Sequence, residues 1–148
     1  AMHLAASSPE LVDGLVLCGA TVNFTGVLGS YLRGVAWLMS KGWLVPAPAS
    51  LERKTRALFP AALSGVADRQ VADGLHAAPL AAAFSGMART DFHALLARYP
   101  GPVLLLNGER DRAARKGERG FQAAAPQAEV QHVAAARHAA NLDAPEAV

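Results

Sequence analysis

The stretch VLLLNGERDR, Val103 to Arg112, decides how the whole chain is read. Val103 to Leu106 are four large apolar residues without polar alternation, the pattern of a strand covered on both faces of a parallel sheet. Pro100, Gly101 and Pro102 keep any helix from running into it, and Asn107 with Gly108 ends it in a turn. The pattern recurs upstream in DGLVLCGA, where Leu15 to Cys18 form a short apolar run entered past Pro9 and Gly14. It recurs more faintly downstream in AEVQHVA, Val130 to Val133. Between the second and third runs, RAARKGERGFQAAAPQ has the Ala, Arg and Lys content of a crossover helix stopped near Pro126. Parallel strands joined by helices predict an α/β sheet with right-handed crossovers.

The interval from Thr21 to about Met87 breaks this rhythm. Leu28, Tyr31, Leu32, Val35, Leu38 and Met39 recur at helical spacing and predict one amphipathic helix. A second helix is expected to start at Ser50 as its cap and to stop at Pro60. A third is expected over Val66 to His76, and a fourth over LAAAFSGMA. A helical insertion between two sheet strands is expected to cap the strands' C-terminal ends, with Phe24, Trp37 and Trp43 forming its own core. The resulting layout is a helix and strand at 1–20, a helical cap or lid at 21–88, and a core part at 89–148.

Both ends read as cut. AMHLAASSPE is helix-forming with no capping residue ahead of Ala1, and DAPEAV offers Asp143 as an N-cap, Pro145 and Glu146 with almost no helix to follow. The chain is therefore expected to be part of a longer protein whose upstream half lies outside it. Expressed alone, its three parallel strands would leave an uncovered edge and exposed core faces, so the isolated piece is expected to fold poorly.

With 148 residues, 52% hydrophobic and 18% charged, the chain can bury one real core and is not disordered. A net charge of +2, interspersed with acids, supports neither a nucleic-acid groove nor an anionic membrane surface. The single cysteine cannot form a bridge within the chain, which suits a reducing, cytoplasmic compartment. No apolar run approaches the roughly 18 residues of a membrane span.

Ligands of open α/β sheets sit beyond the carboxyl ends of the strands, where the turn NGERD puts Asp111. His138 also follows a strand, since VQHVAAARHAANLDAPE leaves Val133 and reaches the imidazole across a loop of small residues. An acid and a histidine at neighbouring strand ends can form the orienting half of a nucleophilic triad. The other histidines, His3, His76, His93 and His132, are scattered singly without metal-ligand spacing, so no metal is expected. Arg112, Arg115, Lys116 and Arg119 read as a solvated helix face, Asp143 as a helix cap, and Cys18, among apolar neighbours, as an inert buried thiol.

The segments PELVDGLVLCGA, YPGPVLLLNGERDR and AARHAANLDAPEAV, in this order around a helical insertion, resemble the C-terminal portion of the α/β-hydrolase fold, in its capped esterase, lactonase and haloperoxidase-like branch. The resemblance covers the whole chain but only the latter part of the family's domain. It implies that Asp111 of GERD is the triad acid and that His138, ahead of the NL and PE of NLDAPE, is the base. Arg137 departs from the glycine that relatives often carry before the histidine. The larger departure is that no G-x-S-x-G elbow and no HG-type oxyanion segment occur. Ser7, Ser8, Ser30, Ser40, Ser50, Ser64 and Ser85 all lie in the wrong setting for the nucleophile.

The resemblance implies hydrolysis of a small, mostly apolar ester, thioester or lactone by a serine upstream of Ala1, with no cofactor, and an inactive isolated chain. Two alternatives stay open. One is an aspartate-nucleophile epoxide hydrolase or dehalogenase, for which the insertion supplies only Tyr31 as a tyrosine; the other is a non-catalytic binding module of the same fold.

Overall fold

The computed structural model describes residues 1–20, 22–44, 46–59, 63–74 and 77–148, without the side chains of 77 and 78. Its sheet has three parallel strands, β1 (Leu15–Cys18), β2 (Val103–Gly108) and β3 (Ala128–Val133), in the order β1-β2-β3. Leu15 stands opposite Val103 and Cys18 opposite Leu106, while β3 runs from Ala128 opposite Val103 to Val133 opposite Gly108. The most apolar run in the sequence is thus the one paired on both edges.

The described chain divides into two compact units, residues 1–23 with 91–148, and residues 24–90. In the first, Leu15, Leu17, Val103 and Leu105 share one face of the sheet and pack against Leu96, Tyr99 and Phe121. That cover comes from α1 (Met2–Ser7), α6 (Phe92–Leu96), the turn after α6, and α7 (Arg112–Ala124). Each large side chain withdrawn from water here contributes about 1.5–3 kcal/mol. Tyr99 is buried together with its hydroxyl, which donates to the Val12 carbonyl at 2.8 Å. On α7, Ala114 and Phe121 face inward while Arg112, Arg115, Lys116 and Arg119 are exposed, the solvated face that their spacing predicts.

The opposite face of the sheet differs from expectation. Leu106 packs against Val133, Ala136 and Ala140, the last of these opening α8 (Ala140–Asp143). Val16, however, is 59% exposed, and Cys18 is exposed beside it. Successive strand residues point to opposite faces, and no described element covers this side of β1. Cys18 is therefore an accessible thiol and not a buried one; its apolar neighbours Leu15 and Leu17 belong to the other face.

The second unit contains α2 (Gly26–Ser40), α3 (Pro48–Leu58), α4 (Ser64–Ala72) and α5 (Ala77–Met87), with α2 packed along α5 and α3 along α4. The buried stripe of α2 is Gly29, Leu32, Ala36 and Met39, while Leu28 and Tyr31 face solvent. Counting only large apolar residues misplaced the stripe, because Gly29 and Ala36 are the residues that let a neighbouring helix approach closely. Trp37 and Trp43 meet edge to face at 5.5 Å but are 52% and 74% exposed, so neither is core. Helix α3 starts at Pro48 after Ala47, and Ser50 lies inside its first turn instead of capping it; proline at the first helical position was the stronger start signal. The expected helix through His76 ends at Ala72, and Leu75 and His76 lie outside the described residues.

Where the chain leaves the first unit and where it returns, one side-chain clasp holds the two crossings together. The Asn23 amide donates to Asp91 Oδ1 at 2.8 Å and accepts from the Phe92 N–H at 2.8 Å. Asp91 Oδ1 also accepts from the Ala94 N–H and so caps α6. Among the described residues no helix is long and apolar enough to cross a membrane.

Candidate active site

Two loops converge beyond the carboxyl ends of β2 and β3. In the first, the Asp111 N–H closes a turn onto the Gly108 carbonyl at 3.0 Å, and Asp111 becomes the N-cap of α7. Its Oδ1 accepts from the Ala113 and Ala114 N–H groups, both at 3.1 Å, which satisfies two otherwise orphan donors of the helix. Its Oδ2 lies 2.7 Å from His138 Nδ1. The cap and the candidate triad acid are one residue using two oxygens.

Asp111 is 7% exposed. Burial pushes its pKa upward, but the hydrogen bonds from Ala114, His138 and Ala113 and the charge of His138 act the other way and hold it below the ordinary carboxylate value. An ionised carboxylate only accepts, so the contact makes His138 Nδ1 the donor and leaves Nε2 unprotonated in the neutral ring. The His138 side chain is 59% exposed, which leaves the ring accessible.

The loop carrying His138 is laced to the loop carrying Asp111. The Arg110 N–H donates to the Ala136 carbonyl at 2.9 Å, the Glu109 N–H to the Val133 carbonyl at 2.9 Å, and the Ala135 N–H to Glu109 Oε2 at 3.0 Å. Ala135 sits at φ 59°, a left-handed conformation that costs a non-glycine residue energy and that these bonds hold in place. Gly108 is where the loops touch, since a Cβ there would run into the carbonyl oxygens of Ala136 and Arg137. Gly19, just after β1, has φ 65°, and a Cβ there would stand 2.9 Å from the His138 carbonyl and 3.1 Å from ring atom Cε1. The His138 ring therefore lies across Gly19, and all three strand ends contribute.

Asp143 has a different role from the expected cap. It ends α8 and makes no capping hydrogen bond; its Oδ2 accepts from the Arg137 N–H at 2.7 Å and its Oδ1 from the Arg137 guanidinium at 3.2 Å. Asp143 thereby ties down the residue before His138, and Arg137, not glycine, supplies both donors. Sequence reasoning missed this and the roles of Glu109, Gly19 and Gly108. Only the glycines carried a signal, each sitting just past an apolar run.

The other candidates do not join the pair. Among the described residues no serine hydroxyl is hydrogen-bonded to His138; Ser7, Ser30 and Ser40 donate to carbonyls of their own helices. No group of three metal-ligating side chains occurs among them either. His132 Nε2 is 2.9 Å from Glu118 Oε1, which also accepts from the buried Asn107 amide at 3.1 Å; this second acid–histidine contact ties α7 to β2 and β3. His93 packs edge-on to Phe121, and His3 is exposed. Beside the Asp111 turn, Arg110, Arg112, Arg115 and Lys116 border an open depression of about 750 Å³.

No family model and no curated protein sequence matches the chain. Solved structures do. A hydrolase from Pseudomonas aeruginosa is 22% identical with a TM-score of 0.72, over 99% of this chain and 56% of its own. The enol-lactonase from Burkholderia xenovorans is 16% identical with a TM-score of 0.69, over 99% and 56%. A thermophilic esterase from Thermogutta terrifontis is 22% identical with a TM-score of 0.67, over 98% and 56%. The fold shared with them is that of the α/β-hydrolases, of which this chain spans somewhat more than half the length.

Proposed function

We propose that this α/β-hydrolase-fold chain provides the acid and base of a Ser-His-Asp hydrolase acting on a small, mostly apolar ester, thioester or lactone. The observation that carries the reading is the 2.7 Å contact of Asp111 Oδ2 with His138 Nδ1, made by a buried carboxylate to an accessible ring. The esterase and enol-lactonase among the structural neighbours support the substrate class.

In this reading the nucleophilic serine and the oxyanion donors come from polypeptide outside these residues. His138 Nε2 takes the serine proton as the serine oxygen attacks the carbonyl carbon. Asp111 holds the ring in the required tautomer and stabilises the imidazolium. The tetrahedral intermediate then collapses with cleavage of the C–O or C–S bond, and the imidazolium proton passes to the departing oxygen or sulfur to give the alcohol or thiol. Water, deprotonated by His138, attacks the acyl-serine so that the acid leaves and the serine regains its proton. The helical segment, read as 21–88 in sequence and as 24–90 in its own compact unit, acts as the lid that sets substrate choice. One accessible, unpaired thiol accords with a reducing, cytoplasmic setting.

The test is hydrolysis of p-nitrophenyl butyrate by the full polypeptide that contains these residues. His138→Ala and Asp111→Asn are each expected to lower kcat by about 10⁴-fold or more with little change in KM. Turnover that survives His138→Ala, or an upstream sequence with no serine at a strand-to-helix elbow, overturns the proposal; an aspartate at that elbow transfers the chemistry to the alkyl-enzyme class.

A further inference from the structure

The segment 24–90 holds a cavity of its own, lined only by residues of that unit and of about 560 Å³, within the range of roughly 300–1,000 Å³ common to small-molecule sites. On α2, Arg33, Ala36 and Trp37 fall at i, i+3 and i+4 and so share one face. On the facing helix, Ala81 and Ser85 of α5 follow the same rule, with Arg89 just beyond its end. The floor consists of small residues, for Ala36 and Ala81 are each 4% exposed. One wall is Trp37, whose ring is half open to the hollow and to solvent.

The two cations lie where α2 meets the end of α5. Arg33 Nη1 donates to the Ala88 carbonyl at 3.3 Å and its Nη2 to Ser30 Oγ at 2.8 Å, so its guanidinium is held in place before any ligand arrives. Arg89 lines the same cavity, and its guanidinium makes no hydrogen bond or ion pair among the described residues. Among the described residues no carboxylate lines it. Of the unit's three acids, Glu52 and Asp68 are engaged by Arg56 and Asp73 follows the end of α4, and none of them lines the groove. Two guanidinium groups sharing one hollow without a counter-charge repel each other unless an anion joins them, and their planar forks match a carboxylate. The remaining lining, an indole face over two alanines, suits hydrocarbon.

We propose that the α2/α5 groove binds an apolar monocarboxylate, its head on Arg33 and Arg89 and its body against Trp37 over Ala36 and Ala81. The inference does not rest on the hydrolytic reading of Asp111 and His138.

Trp37 and Trp43 are the only two tryptophans of the chain, so their fluorescence reports the groove directly. The probe is decanoate below its micellar range, with decanol and decyltrimethylammonium as neutral and cationic controls of equal chain length. It is applied to the full polypeptide that contains these residues, carrying Trp43→Phe and compared with the same protein carrying Trp37→Phe as well, so that the Trp37 signal is read by difference. Saturable quenching of Trp37 by decanoate is expected, with decanol weaker by about tenfold or more, as charge-assisted hydrogen bonds are lost. Arg89→Gln, an exposed change that leaves packing untouched, is expected to weaken decanoate by about tenfold and to leave decanol unchanged. Ala81→Leu fills the floor and is expected to abolish both signals while far-UV circular dichroism stays the same. Equal binding of decanoate and decanol, or a decanoate affinity that Arg89→Gln does not alter, overturns the proposal.

Discussion

Asp111 meets two demands with one carboxylate. One oxygen closes the N-terminus of α7 and the other fixes the His138 ring, so neither demand can be removed without disturbing the other. Because its pKa is lowered in the fold, Asp111 binds fewer protons folded than unfolded. Its contribution to stability is then fully present above its unfolded value of about 3.9 and is lost as pH falls through the lower folded value. The amide shifts of Ala113 and Ala114 are expected to titrate together with a midpoint below about 3.9; a midpoint above that value would contradict the reading of the carboxylate. In the same spectra, long-range ¹⁵N correlations of His138 should show the neutral ring protonated at Nδ1. Asp111→Asn keeps a capping oxygen yet should leave that ring as a mixture of tautomers.

At the level of elements, the pair exists because two loops cross in contact, and Gly108 is the crossing point. Gly108→Ala is expected to cost about 1–3 kcal/mol, as overpacking does, and to erase the His138 tautomer bias. Gly86→Ala, in α5 where a Cβ meets nothing within 4 Å, should change neither site nor loops and serves as the control. The three strands and α7 were legible in the sequence, because apolar runs bounded by Pro and Gly leave few alternatives. Asp111 and His138 were legible as residues that follow strands. Three features were not. The buried stripe of α2 runs through Gly29 and Ala36, which a search for large apolar side chains passes over. Cys18 looks buried in one dimension and is exposed in three, since the side of a strand depends on what packs there. Asp143 satisfies the pattern of a helix cap but is drawn off by the two donors of Arg137 six residues before it.

For the whole molecule, the decisive feature is the face of β1 that carries Val16 and Cys18 without cover. Apolar area left in water contributes nothing to folding, and among the described residues β1 is paired along one edge only. The chain expressed alone is therefore expected to unfold over a broad temperature range and to bind an apolar dye, with Val16→Lys reducing the dye signal. A sharp transition whose calorimetric and van't Hoff enthalpies agree would show that these residues suffice for a cooperative fold. The clasp of Asn23 with Asp91 has a different kind of consequence. It joins, within the sheet-bearing unit, the two points at which the chain departs into the intervening helices and comes back, which gives that departure and return a fixed, narrow base. An exchange of those helices for a foreign set, by recombination or in the laboratory, needs to match only the spacing of that base and can leave Asp111 and His138 where they are.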